Sequence, residues 1–151
     1  MKKIITLTLL FIGLLSFAQP PRNSKMRDRI KAQKTAFITE KLELTSDEAQ
    51  KFWPIYNTYE EMTRKIKADY FKPIRKQMRQ NSDISDAKAN KFLNQMTEGE
   101  DKMHQAKQKL VNDLKTVITS KKIIRLKAAE DEFNKKLLER LRSFREKRNK
   151  K

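Results

Sequence analysis

The chain contains no cysteine, so neither a disulfide nor a thiolate metal site can hold it together. A chain of this kind is stabilised by packing alone. Its single histidine, His104, falls short of a tetrahedral metal site, even with Glu98, Glu100 and Asp101 nearby. The only glycines are Gly13 and Gly99, which excludes a glycine-rich phosphate loop. No stretch alternates apolar and polar residues as a half-buried strand does. There is no histidine–cysteine or serine–histidine set for nucleophilic catalysis. An enzyme is therefore the least expected class, and neither a cofactor nor a bound metal is expected.

Long apolar runs are also missing. The longest, from Ile4 to Phe17, is shorter than the roughly 20 residues of a membrane-spanning helix. It follows Lys2 and Lys3 and ends at Ser16-Phe17-Ala18, the pattern of a secretory signal peptide over residues 1–18. Cleavage before Gln19 would send the protein to the periplasm. No cysteine stands at that cut to carry a lipid anchor. Pro20 and Pro21 open a linker over 19–24, followed by a helical domain over 25–148 and a basic tail over 149–151.

What the chain has in excess is positive charge, with 36 basic against 19 acidic residues. Setting aside Lys2 and Lys3 leaves 34 against 19, a net charge of +15. Such a charge favours anionic partners and opposes self-association. In an exported protein those partners are acidic protein segments, lipopolysaccharide or phospholipid headgroups. Nucleic acid is not expected there.

The apolar residues recur with helical spacing throughout. Met26, Ile30, Phe37 and Leu42 mark a first helix over 25–42. Thr45 and Glu48 form a capping-box signature for the second, with Leu44 placed as a staple. Within it, Ala49, Phe52, Tyr56 and Tyr59 share a face, and the spacing continues through Met62, Ile66, Tyr70, Ile74 and Met78. Pro54 predicts a kink or break at Trp53-Pro54, and Pro73 a second kink near the end. Gln80 to Ser85 reads as a polar turn, with Asp83 or Ser85 available to cap the next helix. A third helix is predicted over 86–117, on the order of 48 Å long, with Gly99 on its seam. Its length requires neighbours along its stripe. Thr119 can cap a fourth helix, whose stripe is Ile123, Leu126, Phe133, Leu137, Leu141 and Phe144. From Lys135 onward there are nine basic residues against Glu139 and Glu146. The expected fold class is all-α, with four helices.

The aromatic residues Trp53, Tyr56, Tyr59, Tyr70 and Phe71 are the candidate protein-binding set, with Trp53 and Tyr59 best placed to face outward. Against this stands the commoner role of aromatics at helical spacing, which is to pack a core. Arg64, Lys65, Lys67, Lys72, Arg75 and Lys76 surround Tyr70 and Phe71, a pattern seen in single-stranded nucleic-acid sites. It is more often the solvated face of an amphipathic helix. Gly99 fits a position of close helix approach or a hinge, close packing being the commoner role, against a helix cost of about 1 kcal/mol relative to alanine.

The run Leu44-Thr45-x-x-Glu48-Ala49-x-x-Phe52-Trp53-Pro54-x-Tyr56, behind a cleavable leader, resembles the periplasmic LTxxQ-motif family of Spy and CpxP-like stress proteins. It is most similar to the Bacteroidota proteins described as sensors of ECF-type sigma factors. The family glutamine falls at Glu48. A second copy of the motif falls at Ile118-Thr119-Ser120-Lys121-Lys122, with lysine in the glutamine position. The resemblance implies a curved helical hairpin, often a homodimer, that binds unfolded or signalling proteins of the envelope and reports stress. The alternative function is binding of an anionic lipid or lipopolysaccharide surface by the basic C-terminal helix.

Overall fold

The computed structural model describes residues 22–81 and 83–149. The expected signal peptide lies outside the described residues, as do Gln19 to Pro21 of the linker and the last two residues of the tail. The described chain is helical and contains no strand. In order it forms α1 (Arg22–Lys41), α2 (Ser46–Ile66), a π-helical segment (Lys67–Phe71), α3 (Lys72–Gln80), α4 (Asp86–Leu114) and α5 (Ser120–Asn149). Helix α1 starts inside the expected linker, at Arg22. Contacts divide the chain after Phe37, within α1. The unit from Ile38 onward contains the core and everything discussed below.

Helix α1 ends in a Schellman motif. Leu44 N–H donates to the Thr39 carbonyl at 3.1 Å and Glu43 N–H to the Glu40 carbonyl at 3.0 Å. Glu43 takes the left-handed conformation, φ 52°, that usually falls to glycine. Two cations of α5 hold it there. Lys122 Nζ donates to its carbonyl at 2.8 Å and Arg125 Nη2 to its carboxylate at 3.1 Å.

Helix α2 runs through Pro54 without interruption, which corrects the break considered at Trp53-Pro54. Proline forfeits the bond to the carbonyl four residues back, that of Gln50. Gln50 and Pro54 are both exposed, so this carbonyl lies on the solvent side, where water can satisfy it. On the opposite side Phe52 and Tyr56 are fully buried. Burying such a side chain is worth about 1.5–3 kcal/mol, enough for two to offset the roughly 3 kcal/mol cost of an interior proline.

The core collects where the two interhelical turns, 42–45 and 115–119, come together. Ile38 and Leu42 of α1, Phe52 and Tyr56 of α2, Leu110 and Leu114 of α4, Ile118 of the turn, and Leu126 and Ala129 of α5 form one buried cluster. Helix α4 stops at Leu114, short of the expected Val117. The amide and the hydroxyl of Thr116 both donate to the Asp113 carbonyl, at 3.3 and 2.7 Å, and this closes the helix into a tight turn. Helices α2 and α4 pack against each other, and the π-helical segment contacts both.

Candidate functional site

Two helix starts meet at the core. Thr45 caps α2 with a complete box: Glu48 N–H donates to Thr45 Oγ1 at 3.2 Å, and Thr45 N–H donates to Glu48 Oε2 at 2.9 Å. At α5, Lys122 N–H donates to Thr119 Oγ1 at 3.4 Å, giving half a box. The other half cannot form, because the third helical residue is a lysine. Instead Lys122 Nζ crosses to Glu48 Oε2 at 2.6 Å. The two copies of the Leu/Ile-Thr-x-x-Glu/Lys pattern are thus joined through their final residues, 74 positions apart. Leu44 and Ile118, the apolar residues before each threonine, pack on the same cluster.

This contact sets an acid limit on stability. The hydrogen bond from Lys122, then that from the Thr45 amide, hold the Glu48 carboxyl below its ordinary value of 4.5. Lys136 and Lys41 do the same for Glu132. A carboxyl with a depressed folded pKa contributes stability above its unfolded pKa, and that contribution is lost as pH falls through the folded value. Lys122→Met should therefore melt at a lower temperature than the parent protein at neutral pH. The gap between the two melting curves should narrow below about pH 4, where carboxylates protonate.

The aromatic residues beside the caps form a packed stack. The rings of Phe52 and Tyr56 lie parallel at 5.5 Å, and Trp53 meets both edge-on, at 5.0 and 5.6 Å. Tyr56 is 0 % exposed, and its hydroxyl donates to Glu130 Oε1 of α5 at 2.5 Å. Burial, then the Glu130 charge, push the Tyr56 phenol far above its normal pKa. Tyr56 therefore cannot present itself to a partner, and its place in the candidate binding set is corrected to the core. Trp53 and Tyr59 are half-buried against the same cluster. Trp53 Nε1 donates to Thr39 Oγ1 at 3.2 Å, and Lys107 lies 5.7 Å over the Tyr59 ring.

Tyr70 and Phe71 sit in the π-helical segment and are half-buried against α4. The Tyr70 hydroxyl donates to Glu98 Oε1 at 2.8 Å, and Lys102 Nζ lies 5.7 Å over the ring. A Cβ added to Gly99 would come within 2.8 Å of Phe71 Cζ and 2.9 Å of Tyr70 Cβ. Gly99 is thus the point of close approach. Gln95 Nε2 donates to the Asp69 carbonyl at 3.1 Å. In α-helical register that carbonyl would bond to residue 73, which is a proline and has no N–H. The irregularity expected at Pro73 is placed one turn earlier as the π-helical segment, and α4 supplies the missing donor. The six cations flanking this segment are all exposed and form a solvated face.

His104 is exposed, and the shallow hollow beside it is lined by Lys107, Gln108, Val111 and Asn112, without a carboxylate. Among the described residues no group of three or more potential ligands could hold a metal ion. Among them, too, no helix is long and apolar enough to cross a membrane. The chain matches no protein-family model, no curated protein and no solved structure.

Proposed function

We propose that this protein is a non-enzymatic, periplasmic envelope-stress module of the Spy and CpxP-like, LTxxQ type, built as a long-helix hairpin that binds acidic or unfolded protein segments. It acts as a chaperone, or as a sensor in ECF-type sigma-factor signalling. An exported protein reaches a cytosolic sigma factor only through a membrane partner, so the signalling role requires one.

The observation that carries the reading is the set of exposed apolar side chains Met62, Met78, Leu93 and Met96 on a strongly cationic helical surface. Charge draws an anionic segment in at long range. Unbranched thioether side chains then adapt to many apolar sequences, as they do at other promiscuous surfaces. The joined threonine caps support the same reading through the resemblance of their motif.

The test is suppression of aggregation of an unfolded client, together with crosslinking in intact cells and identification of the captured partners. The triple variant Met78→Ser, Leu93→Ser, Met96→Ser should lose most of the suppression. Its stability should fall by no more than about 1.5 kcal/mol, up to about 0.5 kcal/mol for each exposed position. A parent protein that neither slows aggregation nor captures any envelope protein overturns the reading.

A further inference from the structure

The apolar stripe of α5 outlasts the core. Leu126, Ala129 and Phe133 are buried, and after Phe133 no residue of the helix is. The stripe nevertheless continues through Leu137, Leu141 and Phe144 at helical spacing, with Leu138 beside it. Leu138 is 56 % exposed, Leu141 39 % and Phe144 61 %. Between Lys135 and Asn149 the same helix carries seven basic residues against Glu139 and Glu146.

We infer that the second half of α5 is a docking helix for an anionic membrane surface. A helix lying in the interface needs large apolar side chains to enter the acyl boundary and cations to meet the headgroups. Leu138, Leu141 and Phe144 supply the first, and Arg142, Arg145, Lys147 and Arg148 are among those that supply the second. Each cation near an anionic surface adds to the attraction, and the stripe adds burial that a neutral surface alone would also reward. A second copy of the chain is the poorer occupant. It would bring seven more cations against these seven, in a protein whose net charge is already +17. The docking helix is separate from the client surface on α2, α3 and α4, so either can fail without the other.

The experiment is flotation of the protein, purified from producing cells, with vesicles of phosphatidylglycerol and phosphatidylcholine or of phosphatidylcholine alone. It is run at low salt and at about 1 M, where charges are screened beyond ~3 Å. The expected result is flotation that requires the anionic lipid and is lost at high salt. It should fall on the order of tenfold in Leu141→Ser, Phe144→Ser and equally in Arg142→Glu, Arg145→Glu, with helical content and melting unchanged. Equal flotation on neutral vesicles, flotation that survives both variants, or no flotation at all overturns the inference. So does a concentration-dependent dimer, seen by sedimentation, that Leu141→Ser, Phe144→Ser dissociates, because the occupant would then be a second copy.

Discussion

Replacing Tyr56 with alanine should destabilise the protein by about 3–5 kcal/mol, the cost of removing a buried aromatic ring from a packed core. For a domain of this size that corresponds to a fall in melting temperature of roughly 10–20 °C. The effect is large because Tyr56 does three things at once. Its ring stacks on Phe52 and meets the edge of Trp53, its body fills the cluster where α1, α2, α4 and α5 join, and its hydroxyl binds Glu130 on α5. Tyr56→Phe isolates the last of these. It leaves the ring in place and removes the donor from Glu130, for an expected loss of about 1–2 kcal/mol.

The phenylalanine variant also changes the alkaline limb of stability. Burial and the Glu130 charge raise the folded pKa of Tyr56 above its unfolded value. A group shifted upward contributes stability that is fully present below its unfolded pKa and declines as pH rises beyond it. The parent protein should therefore lose stability above about pH 10 more steeply than Tyr56→Phe, and thermal melts across that range measure the difference. Parallel limbs would mean that Tyr56 ionises no less readily in the folded protein than in the unfolded one.

The sequence shows which residues form helices and where two of them start, because caps and periodicity are local signals. Thr45 with Glu48 and the hydroxyl of Thr119 are of this kind. What periodicity cannot show is what covers an apolar face. Helix α5 carries one continuous stripe from Ile123 to Phe144, yet only its first half reaches the core. The joining of Glu48 to Lys122 is equally invisible, since it pairs two turns far apart in the chain. Read alone, a lysine at the third helical position looks like a spoiled capping box, whereas in the fold it binds the carboxylate of the neighbouring box. Pro54 misleads in the opposite direction. Its local penalty is real, but burial of the rings on the far side of α2 outweighs it. Ile38 is missing from the expected stripe of α1 although it is fully buried, and Glu43 gives no glycine-like sign of its left-handed turn.

At the π-helical segment, Gly99→Leu should cost about 1–3 kcal/mol despite leucine being the better helix former by nearly 1 kcal/mol. The first added carbon already meets Phe71 Cζ at 2.8 Å, Tyr70 Cβ at 2.9 Å and Phe71 Cε2 at 3.0 Å. The Phe71 ring can swing aside, but Tyr70 Cβ is fixed to the backbone, so α4 must move away from the π-helical segment. That movement lengthens the bonds from Gln95 to the Asp69 carbonyl and from Tyr70 to Glu98, which span the same joint. A double-mutant cycle separates these contributions. Adding Phe71→Ala to Gly99→Leu clears two of the three close contacts and leaves Tyr70 Cβ in place. It should restore part of the loss, with a coupling energy on the order of 1 kcal/mol between the two positions. Gly99→Ala provides the intermediate case, where the gain in helix propensity and the crowding nearly cancel. If Gly99→Leu melts with the parent protein, the approach of α4 to the π-helical segment is not set at this residue.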